Sequence, residues 1–131
     1  MRTLLVALLA LALTPSLAHA RSIKGSTVLI VKNGGSDTLA VLVDDSGAVL
    51  DANSLDAVSF FRVGGRLIGP GGSTAYSLKA GSHTVIGAYV RGFTPDAAVG
   101  ASSTTTVTTT KNQTTTVRAT GSVNSGVTFS P

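Results

Sequence analysis

His83 is the one histidine outside the apolar amino-terminal stretch, and the acidic residues available to it are all aspartates, because the chain has neither glutamate nor cysteine. A serine, His83 and an aspartate could in principle form a nucleophile–base–acid triad, which is defined by geometry and not by order. No GxSxG elbow occurs, however, and His83 stands where a turn enters a strand, so a hydrogen-bonded structural role is expected. One histidine without cysteine excludes a tetrahedral zinc site. Calcium takes oxygen ligands, and Asp44, Asp45, Asp51 and Asp56 fall close together in a loop-rich stretch. Their spacing is not that of an EF-hand, and aspartate at strand ends ordinarily bonds its own turn. The runs Val63-Gly64-Gly65-Arg66 and Gly69-Pro70-Gly71-Gly72-Ser73 lack phosphate-loop spacing and read as turns. Asn112-Gln113-Thr114 matches a glycosylation acceptor and reads as a polar turn.

Phe60 and Phe61 are adjacent, so in a strand they point to opposite faces and one ring can lie outside the core. With Arg62 and Arg66 nearby, they form a possible partner-binding tip. The candidate ligand-binding set is therefore Asp44, Asp45, Asp51, Asp56, Phe60, Phe61, Arg62 and Arg66, with no catalytic residue, metal ligand or cofactor expected.

These residues have to be positioned by a small chain. Of 131 residues, the first twenty read as an export signal: Met1-Arg2, the apolar run Leu4 to Leu13, a break at Thr14-Pro15-Ser16, and the small-x-small site Ala18-His19-Ala20. The run is shorter than the roughly 20 apolar residues that span a bilayer, so no stable membrane span is expected. Residues 21–131 then form a single domain, with nine basic residues against six aspartates. The basic residues are dispersed, which argues against nucleic-acid binding. An exported chain without cysteine fits a bacterial periplasmic or extracellular setting better than a disulfide-rich eukaryotic one.

Helix formers are scarce and β-branched residues dominate, so the class is all-β. Strands are predicted at Thr27 to Lys32 and Thr38 to Asp44, joined as a hairpin by Asn33-Gly34-Gly35-Ser36-Asp37, whose glycines would supply left-handed backbone. A second hairpin pairs Thr74 to Lys79 with His83 to Val90. A third pairs Thr104 to Thr110 with Thr114 to Thr120, each run with one central valine. The inserted irregular segment, about 45–72, holds a small hairpin tipped by Gly64-Gly65, preceded by one possible short helix within Ser46 to Ser59. Phe93 to Ser103 reads as a connection, and the tail after Gly121 can add a last strand. Six to eight strands with frequent turns describe a small antiparallel β-sandwich, Ig-like or PEGA-like, whose long connections cross between sheets.

From Val28 to Gly92 the order of features resembles small exported bacterial β-sandwich modules of the PEGA-like kind. The resemblance rests on a strand ending in Asn33, a second ending in Asp44, Gly65-Arg66-Leu67-Ile68-Gly69, Pro70-Gly71-Gly72-Ser73, and Leu78-Lys79-Ala80-Gly81-Ser82-His83-Thr84-Val85. Asp45 to Gly64 departs from it as a long insertion where those modules have a tight turn. The resemblance implies a non-catalytic envelope or surface module and carries no functional residues. The expected function is a non-enzymatic interaction or structural module, with a protein partner or self-association by strand edges. The alternative is a carbohydrate- or calcium-binding module using loop 44–66.

Overall fold

The computed structural model describes residues 26–50, 56–92 and 98–131. The export signal and Asp51 therefore lie outside the described residues. Among the described residues eight strands run β1 Thr27–Asn33, β2 Thr38–Val43, β3 Arg66–Ile68, β4 Ser73–Leu78, β5 Gly81–Val90, β6 Ser103–Thr109, β7 Thr114–Ser122 and β8 Gly126–Ser130. A 3-10 turn, Ala48–Leu50, and a short helix α1, Ala57–Arg62, lie between β2 and β3. The strands form two four-stranded sheets, the first in order β4-β1-β7-β8 and the second in order β3-β2-β5-β6. The all-β sandwich expected from alternation is present.

Its connectivity is not the expected one. None of the three predicted hairpins forms: β1 and β2, β4 and β5, and β6 and β7 each divide between the two sheets. Those three turns are arches across the sandwich, while the neighbours β2 and β3, and β5 and β6, are joined by longer connections and β7 and β8 by a short turn within one sheet. The physical reason is that a turn of a few residues can span either adjacent strands, about 4.8 Å apart, or facing sheets, about 10 Å apart. Alternation leaves that choice open, because either closure buries the same set of side chains. The sheets are also not wholly antiparallel, since β1 and β7 run parallel from Val28↔Thr114 to Asn33↔Ala119.

Strand parity divides the apolar residues into two cores. Leu29, Val31, Leu39, Val41, Tyr76, Val85, Tyr89, Val117, Ala119 and Val127 fill the space between the sheets. On the outer face of the second sheet, Ala40, Leu42, Ile86, Ala88 and Val90 meet Leu50 and Phe60 from the inserted segment. The insertion thus covers a sheet face whose apolar residues would otherwise be exposed, and burying a ring such as Phe60 contributes about 2 kcal/mol or more. The Gly64-Gly65 hairpin does not form. Asp56 caps α1 by accepting from the Ser59 amide (3.1 Å) and the Ser59 hydroxyl (2.6 Å), so Phe60 and Phe61 sit on a helix and not on a strand. Gly65 is required by close approach, because a Cβ there would overlap the Phe60 ring.

Candidate functional site

At the carboxyl end of β2, Asp44 adopts φ 56°, a left-handed conformation that aspartate tolerates better than most residues. This turns its carboxylate onto the start of β5. Oδ1 accepts from the Thr84 amide (3.0 Å), and Oδ2 accepts from His83 Nδ1 (2.6 Å). The other ring nitrogen, Nε2, lies 2.6 Å from the Lys79 carbonyl oxygen. Both partners of the imidazole are acceptors, so both contacts are satisfied together only in the imidazolium form, in which both nitrogens donate. The hydrogen bond to Asp44, reinforced by the Lys79 carbonyl, raises the His83 pKa above its ordinary 6.5. The same bond holds Asp44 below its ordinary 3.8. A general base needs a ring nitrogen with a free lone pair, which the imidazolium form does not offer. The pair instead fastens the ends of β2, β4 and β5.

His83, with a raised folded pKa, stabilises the fold fully below about 6.5 and loses that contribution as pH rises through the folded value. Asp44, with a lowered one, contributes above about 3.8 and loses it as pH falls through its folded value. The clasp is therefore strongest between those limits. His83→Gln is expected to lower the melting temperature more in mildly acidic buffer than in alkaline buffer; an equal decrement across that range would contradict the imidazolium assignment.

Of the other described candidates, Asp56, Phe60, Phe61 and Arg62 lie on or cap α1, while Asp45 and Arg66 are engaged elsewhere. Asp45 Oδ2 accepts from the Gly47 amide (3.0 Å) in a local turn, and Asp56 caps α1. Among the described residues no three of His, Cys, Asp or Glu are grouped to hold a metal ion. Phe60 is buried in the outer core, and Phe61 is half exposed and edge-on to it at 5.2 Å. Val58, Val63 and Leu67 are also exposed nearby in sequence, and Arg62 ends the helix.

Arg66 has a different task. From β3 it reaches the first sheet, where Nη1 donates to the Ala75 carbonyl (2.6 Å) and to Thr74 Oγ1 (3.0 Å). Its guanidinium carbon stands 4.1 Å from the centre of the Tyr76 ring. Arg66 thus closes one side of the sandwich and occupies a carbonyl of edge strand β4. The Tyr76 hydroxyl is buried without a hydrogen bond, and burial raises its pKa. Tyr76→Phe keeps the ring beneath Arg66 and removes the orphaned hydroxyl, so chemical denaturation should find it as stable as the parent or about 1 kcal/mol more so. A clear loss of stability would show that the hydroxyl has a partner.

The opposite side of the sandwich is open. β8 pairs with β7 only over Arg118 to Ser122, which leaves Thr114 to Val117 with β1 on one side and, among the described residues, no strand on the other. Facing that stretch is β6, the edge of the second sheet, paired with β5 without a bulge from Gly87↔Ser103 to Gly81↔Thr109. Between them lies a cleft of about 280 Å³, lined by Thr105, Val107, Thr115, Val117 and Phe129, with Pro131 at its rim. Sheet edges are normally guarded by lysine, proline, a bulge or a covering segment. β6, with sequence Ser-Thr-Thr-Thr-Val-Thr-Thr, has no charge, proline or bulge. The sequence signal for this cleft was the pair of threonine runs, but read as one hairpin they would have covered each other.

No protein-family model, curated protein or solved structure matches this chain. Among the described residues no helix is long and apolar enough to cross a membrane.

Proposed function

We propose that the chain is a non-enzymatic exported protein, an interaction or structural module of the bacterial envelope or cell surface, that associates by strand addition at the free edge of β6. The observation that carries this reading is the asymmetry of the sandwich: Arg66 occupies the β3/β4 side, whereas on the β6 side Ser103 Oγ donates to the Val127 carbonyl (2.8 Å) at the strand's start and, among the described residues, the rest of the edge beside the cleft has no such device. Main-chain hydrogen bonds give such an edge its affinity, and alternate side chains give it register. The occupant that fits best is the same strand of a second copy. Antiparallel pairing centred on Thr106 sets Thr105 opposite Val107 and Thr104 opposite Thr108, favourable cross-strand pairs with no like charges opposed. A self-complementary patch of this kind closes as a two-fold dimer and leaves no further β6 edge to propagate. Export is supported by the leader-like pattern through Ala20, and the PEGA-like resemblance supports a non-catalytic role.

The test uses the protein as the producing cell exports it. A photocrosslinker replacing Thr106 should give a dimer adduct, and the intact mass of the recovered chain should begin at Arg21. Crosslinks that are absent, or equally abundant from Ser77 on β4, would contradict the edge assignment; retention of residues 1–20 inside the cell would contradict export.

A further inference from the structure

The outer face of the first sheet has a second, chemically distinct feature that strand addition does not use. Lys32 on β1 and Arg118 on β7 are register partners in the parallel pair, and both alternate with buried residues, so both side chains leave the same face. Ser73 of β4 is the partner of Lys32 on its other side. Like charges directly opposite each other on neighbouring strands are destabilising, and these two occupy the central strands of the sheet. Among the described residues neither cation has a carboxylate partner, since the ion pairs are His83–Asp44 and Arg91–Asp37. Around them is a depression of about 460 Å³ lined by Lys32, Gly34, Gly71, Gly72, Ser73 and Arg118.

The glycine of the β1–β2 arch explains why the guanidinium lies where it does. Gly34 does not have positive φ; a Cβ at this position would come within 2.7 Å of Arg118 Nε and 2.9 Å of Nη2, and would meet nothing else as closely. The missing side chain leaves the space in which Arg118 rests, and the Gly34 amide is fixed by its bond to the Ala119 carbonyl (2.7 Å). Arg118, the register partner of Lys32, thus has its guanidinium over the Gly34 backbone. A planar fork next to a point charge and a hydroxyl is the donor set that suits a tetrahedral oxyanion, with the guanidinium engaging two oxygens and the ammonium a third.

From this juxtaposition we infer that Lys32, Arg118 and Ser73 form an anion site for a phosphate group, whether free, on a soluble ester or on a lipid headgroup. An anion here would relieve the repulsion between the two cations. The experiment is thermal unfolding of the full exported chain in inorganic phosphate against chloride at matched ionic strength, so that general screening is equal. Alongside it, co-sedimentation is measured with phosphatidic acid and phosphatidylcholine vesicles. Phosphate binding to the native state raises the melting temperature. The shift, or selective binding to phosphatidic acid, should vanish in Lys32→Ala and Arg118→Ala, whose exposed side chains leave the anion-free melting temperature close to the parent value. Gly34→Ala keeps every charge but displaces the guanidinium, and should weaken binding severalfold. A response to inorganic phosphate assigns a free or ester phosphate; a response to phosphatidic acid alone assigns a headgroup. No response in either arm, or one that survives both alanine variants, would overturn the site.

Discussion

Asn33→Ala is expected to destabilise the domain by about 3 kcal/mol, a large share of the roughly 5–15 kcal/mol that holds a small domain together. Asn33 ends β1 facing inward and is 2% exposed. Its Nδ2 donates to the carbonyls of Asp37 and Ile68, both at 2.8 Å. Its Oδ1 accepts from the Gly35 amide (2.9 Å) and the Tyr89 hydroxyl (3.0 Å). The amide has two donors and two lone pairs, and all four are used. One side chain of the first sheet therefore ties the arch to β3 and β5 of the second. Alanine leaves the buried Tyr89 hydroxyl and Ile68 carbonyl without this partner, and such orphaned groups account for most of the cost. Tyr89→Phe, which removes one bond of the four, should cost about 1 kcal/mol. Urea denaturation with unchanged slope measures both. A loss below about 1 kcal/mol for Asn33→Ala would mean that this network does not join the sheets.

The second large effect concerns association. Thr105 lies on the inward side of β6 and lines the cleft, where a side chain of an added strand would pack. Thr105→Lys places an inward-pointing charge on the edge, one of the means by which β proteins prevent pairing between sheets. The cleft is open, so the lysine can reach solvent and the melting temperature should change little. Dimer on size exclusion at high protein concentration should fall more than about tenfold, since a buried unpaired charge costs several kcal/mol. An unchanged elution profile would show that association, if present, uses another surface.

How far the sequence reached differs between strands and their partners. Parity gave the faces correctly: Leu39, Val41 and Val43 point to one side and Ala40 and Leu42 to the other, as their division between the two cores requires. It did not give pairing, because Asn33-Gly34-Gly35 suits an arch as well as a hairpin. The glycines there serve close approach instead of left-handed backbone: a Cβ on Gly35 would overlap the Tyr89 hydroxyl, and one on Gly34 would displace Arg118. The inward position of Asn33 was legible, since it follows Leu29 and Val31 at even spacing, but its partners Ile68 and Tyr89 are 35 and 56 residues away. His83 was expected to be a hydrogen-bonded structural residue, and its partners are Asp44 and the Lys79 carbonyl. Phe60 and Phe61 misled because adjacent rings look like a strand, whereas the Asp56 cap on Ser59 is a helix signal of the kind given by Asp three residues before a hydroxyl. The cation pair Lys32 and Arg118 depends on a parallel register that a sequence pattern does not specify.

Amide hydrogen exchange across a wide range of protein concentrations reads individual strands and so distinguishes the two edges directly. Protection of Ser103–Thr109 is expected to rise with concentration while that of Ser73–Leu78, the edge occupied by Arg66, does not change. Exchange of β6 that is independent of concentration, or protection that grows equally at both edges, would contradict strand addition at β6.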